Sequence, residues 1–363
     1  MVQPRTLGRA LLALVLFCAT TIPAAAAAGL TARLDADSFF GRAERPVVTV
    51  TLANPTGADV YVVRWQTPLA GVDADVFEVT RDGEAVAYTG RLIKLSRPTP
   101  ADYVRIPAGG ELSAAVDLGA AYDFSRRGEY AVRYSVNVQD AVRDDMPAKI
   151  GGVGELASNR VFMAVERDDT AADFREGLKP IFGKAGSTSF AGCTSGDQSA
   201  LNTARGNATT YSSGSKSYLD GHTASTAGPR YTTWFGSPTN SLYNTVGDHF
   251  DAILAAFQNA AITFDCGTCR TDPNYNNYYA YVYPTQPYKI YLCGAFWSAG
   301  ATGTDSKAGT LVHEMSHFNV TAGTNDNAYG KTACQKLAQK NPRKAVDNAD
   351  SHEYFAENTP SQN

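Results

Sequence analysis

The sequence predicts an all-β, sandwich-like N-terminal region followed by an α+β, mainly helical C-terminal region, and three observations predict it. From Leu30 to about Glu166, short β-prone runs alternate with Asn-Pro, Gly and Asp turns. From Cys193 onward the composition shifts to Tyr, Asn, Ser, Thr and Gly, and helical periodicity appears at Leu242, Val246, Phe250, Ile253, Leu254 and Phe257. The cysteines draw the same line, because none falls between residues 29 and 192. At 363 residues the chain exceeds the roughly 100–200 residues of one domain, so two folded units plus processed segments are expected.

Taken in order, Arg5 and Arg9, an apolar run over 10–17 and small residues over 24–28 have the layout of a secretory signal peptide spanning residues 1–28. Cys18 lies inside it and follows Phe17 rather than a small residue, which speaks against a lipid anchor. No later stretch approaches the ~20 apolar residues of a membrane span. The formal net charge is −4 with no block of like charge, so neither nucleic acid nor an anionic membrane is expected as a partner. The expected product is secreted and extracellular.

In the N-terminal region, strands are expected over 46–52, 60–65, 77–80, 85–92 and 129–138. No constellation of His, Cys or paired carboxylates there carries chemistry. A polar, Gly-rich stretch over 168–192, holding Lys179 and Lys184, marks a boundary or processing linker. Beyond the periodic helix, a strand-like stretch is expected over 278–292. A helix over 307–319, a Gly-bounded loop to Gly330, and helices over 332–339 and 349–357 complete the reading.

The chemistry concentrates in His313-Glu314-Met315-Ser316-His317. Two imidazoles four residues apart share one helix face and can reach one metal, while Glu314 projects toward a metal-bound water. Zinc lowers the pKa of such a water toward ~7, and a neighbouring carboxylate can take its proton and hand it to the leaving amine. Only three Glu occur from Lys184 onward, namely Glu314, Glu353 and Glu357, so Glu314 does not belong to a generic charged face. A third ligand must come from elsewhere. A third His six residues on is ruled out, because that position is Gly323 and the glycine that would accompany it is Val320. Glu353 or Glu357 on a later helix remains open, as does Asp326, nine residues after His317 in a loop whose glycines let the chain double back. Asp350 and Glu353, three apart, share a helix face and can present two carboxylates to one cation, with His352 between them as a surface or supporting residue. A compact ammonium suits such a pair better than the planar fork of arginine.

His-Glu-x-x-His followed by Gly-Thr-x-Asp-x-x-Tyr-Gly, at 313–317 and 323–330, resembles the aspzincins, the deuterolysin family of metalloendopeptidases. The stretches over 229–236, 291–297 and 348–358 are similar to the peptidyl-Lys metalloendopeptidases within it, and the likeness covers 189–363. The resemblance implies an all-β sandwich-like propeptide (29–183) ahead of an α+β zincin-like, mainly helical metalloprotease domain (184–363). It implies one Zn2+ held by His313, His317 and Asp326, Glu314 as general base, and Tyr329 as the hydroxyl donor to the developing oxyanion. It further implies Asp350 and Glu353 as the pocket for the residue after the scissile bond, giving cleavage of proteins or peptides on the N-terminal side of Lys. Disulfides Cys193–Cys266 and Cys269–Cys293 are implied as well, leaving Cys334 unpaired.

The resemblance also makes the propeptide an inhibitor or chaperone. That segment has no cysteine, which excludes latency by a thiol on the metal. An enzyme cutting before Lys makes Gly183–Lys184 a candidate self-processing bond. The alternatives are a broad-specificity zinc endopeptidase using Glu353 or Glu357 as third ligand, and a non-enzymatic secreted binding protein.

Overall fold

The computed structural model describes residues 29–36, 39–40, 45–138, 142–143, 154–165 and 186–362. The expected signal peptide, Lys179 and the Gly183–Lys184 bond lie outside them.

Alternation builds the β-rich half. Val47–Ala53 turns Val48, Val50 and Leu52 inward and pairs antiparallel with Thr31–Ala36 and Glu111–Asp117. Gly128–Asn137 lies between Glu155–Val165 and Phe77–Arg81 in a five-stranded sheet. Val60–Val63 pairs with Tyr103–Ile106. Leu34, Val50, Val62, Val132, Tyr134 and Leu156 meet in one core. The strand expected over 85–92 is not continuous: the chain pairs at Glu84–Ala85, makes a single bridge from Tyr88 to Tyr122, and pairs as a strand again at Leu92–Leu95. Between them the buried Tyr88 donates its hydroxyl to the carbonyls of Val72 and Arg91 at 2.7 and 3.0 Å, which turns the chain out of the first sheet.

Leu92–Leu95 therefore joins the other half. The C-terminal sheet runs Thr188–Ala191, Ile262–Asp265, Lys289–Leu292, Tyr278–Val282, and then Leu92–Leu95 as its edge. The stretch expected as one strand over 278–292 is an antiparallel pair, broken where Pro284 and Pro287 cannot continue a ladder. Eight helices cover this sheet among the described residues: α1 (Ser195–Asp220), α2 (Pro229–Phe235), α3 (Asn240–Asn259), α4 (Gly294–Ser298), α5 (Lys307–His317), α6 (Lys331–Lys340), α7 (Pro342–Val346) and α8 (Ala349–Glu357). The periodic residues of α3 bury Val246, Phe250, Ile253 and Phe257 against Leu311, Met315 and Phe355. A small cluster of Ile93, Leu95, Tyr278, Tyr281 and Tyr291 seals the two halves together.

Helices α5 and α8 pack closely through Gly309, where an added Cβ would be driven into the Glu357 carboxylate and stand 3.0 Å from Glu353 Cγ. Gly309→Ala is expected to destabilise the fold by about 1–3 kcal/mol through overpacking, read as a lowered denaturation midpoint. An unchanged midpoint would mean that the two helices can separate at no cost.

Candidate active site

Residues Ala308 to His317 of α5 are all buried. Ser306 caps the helix, its hydroxyl accepting from the Gly309 amide at 2.9 Å. Glu357 accepts from the Ser306 amide and hydroxyl at 2.9 Å each and from the Asp305 amide at 3.1 Å, which brings a carboxylate to the positive end of the helix.

At the other end His313 and His317 bring their Nε2 atoms to 3.1 Å. Gly323 (φ 59°) and Gly330 (φ 78°) let the following loop fold back, and Asn325 pairs with Asn348 ahead of α8. This aims Asp326 at both rings, its Oδ1 standing 3.3 Å from His313 Nε2 and 3.5 Å from His317 Nε2. His317 Nδ1 donates to the Thr324 carbonyl at 2.7 Å, and His313 Nδ1 stands 2.8 Å from Asp350 Oδ1. With His317 Nδ1 bonded to a carbonyl and His313 Nδ1 facing the Asp350 carboxylate, the two Nε2 atoms are turned to one point beside Asp326, whose oxygens have no hydrogen-bond partner and which a cation there satisfies. Ligands ~2.1 Å from a tetrahedral zinc stand about 3.4 Å from one another. Separations of 3.1, 3.3 and 3.5 Å fit that cage.

Burial works to lower the His313 pKa, but Asp326, Asp350 and Glu353 outweigh it and draw it well above the ordinary imidazole value, so a proton competes with a metal there. At His317 burial prevails and lowers the pKa to about 4. Glu314 is fully buried, neither carboxylate oxygen has a hydrogen-bond partner, and burial raises its pKa to about 8. Without a cation nearby such a carboxyl holds its proton at neutral pH, and a cation in the cage would favour the carboxylate that a base requires.

Of the other acidic candidates for the metal, Glu353 belongs with His313 and Asp350 to a second group of three donors close enough to share one cation. Glu357 spends its oxygens on the start of α5, and Glu353 lies on the Nδ1 side of His313, at 3.5 Å, away from the point where the Nε2 atoms converge.

Asp350 and Glu353 are buried, not a solvated helix face, and between them sits the ammonium of Lys94, from the Leu92–Leu95 strand. Its Nζ is 2.6 Å from Glu353 Oε2, 3.3 Å from Asp350 Oδ1 and 3.8 Å from Asp305 Oδ1, with the rings of Tyr279 and Tyr354 as walls. Burial alone would strip its charge, but Asp350, Glu353 and Asp305 hold its pKa well above the usual lysine range. Tyr329 donates its hydroxyl to the Ile93 carbonyl at 3.1 Å, and burial together with Asp326 raises its pKa, which keeps the phenol a donor.

Lys94 and Asp305 have no counterpart in the sequence reading. The available signal was local: a lysine inside Leu92-Ile93-Lys94-Leu95, a run in which all four residues are buried. A lone charge in such a run needs a buried partner.

Of the two readings of His352, surface or supporting, burial excludes the first. His352 is fully buried, its Nε2 3.0 Å from His249 Nδ1, because Phe235 and Phe250 pack on it. Burial lowers the pKa of His352 to about 3 and that of His249 to about 4, so both rings stay neutral and one can donate to the other. Disulfides join Cys193 to Cys266 and Cys269 to Cys293, and Cys334 is free and buried.

The two acidic residues of the lysine pocket should separate on substitution. Asp350 touches both Lys94 and His313, whereas Glu353 makes its shorter contact with the ammonium. Asp350→Asn is expected to weaken metal binding about 10–100-fold, as loss of a histidine's carboxylate partner does, along with lysine binding. Glu353→Gln is expected to loosen the hold on the Lys94 ammonium with metal affinity unchanged, a difference that metal titration reads.

A helix carrying His-Glu-x-x-His, a carboxylate returning to complete a three-donor cage, and an unpartnered glutamate beside it define a metal-dependent hydrolase. Residues 220–357 match the family described as lysine-specific metallo-endopeptidase, the aspzincins. An extracellular protease of Aeromonas hydrophila is 41% identical over 342 residues, covering 93% of this chain and 94% of its own. A peptidyl-Lys metalloendopeptidase of Armillaria mellea is 34% identical, covering 95% and 96% respectively. A solved zinc peptidase from Grifola frondosa is 50% identical over 47% of this chain and all of its own, with a TM-score of 0.43. The chain belongs to the aspzincin family and is a metalloendopeptidase. The reading of it as a non-enzymatic binding protein is thereby set aside.

Proposed function

We propose that the chain is a secreted zinc endopeptidase that hydrolyses protein bonds on the N-terminal side of lysine. In this reading it is made with a signal peptide (1–28) and a β-rich propeptide (29–183) ahead of the catalytic domain (184–363). The observation that carries the specificity is a lysine ammonium held between Asp350 and Glu353 beside the two imidazoles.

One Zn2+, held by His313, His317 and Asp326, would supply a Lewis acid and a water of lowered pKa. Glu314 takes the proton at its carboxylate and delivers it to the leaving amine; burial raises its pKa to about 8, so a cation in the cage would be what keeps it ionised for that task. Tyr329 Oη donates to the oxygen of the carbonyl under attack. Asp350 and Glu353 fix the ammonium of the residue that follows, and so set which bond is offered. The Aeromonas relative is named as extracellular, which supports export, and no helix among the described residues is long and apolar enough to cross a membrane. The β-rich region, joined to the catalytic sheet through Leu92–Leu95, is read as the inhibitor of the unprocessed chain.

The test is digestion of an unfolded protein by the processed enzyme, with and without a chelator. New peptides that begin with Lys and vanish with chelator are expected. Chelator-sensitive cuts without lysine preference would discard the pocket.

A further inference from the structure

We infer that the Leu92–Leu95 strand is a tethered substrate: it holds the Ile93–Lys94 bond in the cutting position, blocks the cleft, and is the first bond that the enzyme hydrolyses in its own chain. The inference rests on the lysine reading above and adds to it a definite bond and its consequence.

Three contacts from different elements agree on the register. The strand pairs antiparallel with Tyr278–Val282, placing Ile93 opposite Tyr281 and Lys94 opposite Ala280, as an extended peptide adds to a sheet edge. Lys94 Nζ fills the Asp350–Glu353 pocket, with Glu353 Oε2 2.6 Å away. The carbonyl one residue earlier, that of Ile93, accepts from Tyr329 at 3.1 Å. A lysine in the pocket and the preceding carbonyl on the proposed oxyanion donor are what a bond cut before lysine requires. A cavity of about 270 Å³ lined by Trp65, Ile93, Asp326 and Tyr329 adjoins this bond and has room for solvent.

The strand is anchored on both sides of the bond. Arg91 Nη1 pairs with Asp272 at 2.6 Å upstream. Downstream, the Ser96 amide donates to the Asn277 carbonyl at 2.9 Å, and Asn277 Nδ2 donates to Asp102 Oδ1 at 3.1 Å. While the bond is whole, these anchors hold Lys94 at high effective concentration against any other substrate. Hydrolysis consumes one water and breaks the bond between the Ile93 carbonyl carbon and the Lys94 nitrogen. Ile93 ends as a carboxylate, and the Lys94 nitrogen takes up both protons of that water to become an α-ammonium. The two halves of the strand then dissociate independently and the cleft opens. The free enzyme can next act on other lysyl bonds, Gly183–Lys184 among them.

The test uses the full chain, prepared with chelator and started by adding zinc, with a quenched lysyl peptide reporting activity and intact mass reporting cuts. In the wild type, activity is expected to rise in step with a new N-terminus at Lys94. Lys94→Met, which keeps the length of the side chain without its charge, is expected to be about tenfold or more active at time zero than the uncut wild type, with no N-terminus at position 94. A Lys94→Met chain as latent as wild type, or a wild type that becomes fully active with Ile93–Lys94 intact, overturns the inference. The wild-type time course decides alone if the variant does not fold. If the processed wild type still starts peptides with Lys when either overturning result is found, the inference falls and the lysine reading stands. Cuts without lysine preference remove the reading itself.

Discussion

Glu314→Gln is expected to lower kcat about 10²- to 10⁴-fold, the range that a positioned general acid–base group supplies, while zinc content and lysyl-peptide affinity stay at wild-type values. The amide has nearly the size of the carboxyl, so α5 need not repack, and it can neither accept the water's proton nor pass it on. The starting state makes the effect large: both oxygens of Glu314 are buried without a partner, and burial holds its pKa at about 8. An isolated buried carboxyl is costly to keep, and such cost is tolerated where chemistry needs the group. Steady-state kinetics with metal analysis on the same sample gives the answer. A variant retaining most of its kcat would hand the base role to another residue.

Asp326→Ala is expected to abolish activity by emptying the metal cage. Removing Asp326 leaves two imidazoles 3.1 Å apart and no negative charge facing either Nε2. Zinc affinity should fall by more than the 10–100-fold that losing an outer carboxylate costs, so Asp326→Ala should be weaker than Asp350→Asn in the same titration. Glu357→Ala is the matching control. Its carboxylate caps the start of α5, so that variant should lose stability and keep its metal. Metal retained in Asp326→Ala and lost in Glu357→Ala would restore the alternative third ligand.

Legibility differed from element to element for physical reasons. Helix α3 was visible because its apolar residues recur at the period of a helix packed on a core. Helix α1, a 26-residue element, was not, because Ser, Thr, Asn and Gly fill it and its packing rests on small residues such as Ala204, Ala208, Ser212 and Ser215. Tertiary contact overrides propensity there. The break between Glu84–Ala85 and Leu92–Leu95 was equally hidden, since it depends on where the Tyr88 hydroxyl finds its acceptors.

The spacing of His313, Glu314 and His317 by itself determined a metal-binding helix, because helical periodicity converts an interval of four into one face. Asp326 between two glycines, and Asp350 three residues before Glu353, were legible in the same local way. What only the tertiary structure decided is which charges meet. It sent Glu357 to the start of α5 and turned Asp350 toward His313. It also carried Lys94 across 256 residues of sequence into the pocket those carboxylates form. A buried charge must find a partner, but the chain that supplies it can come from any distance, and no local pattern encodes that distance.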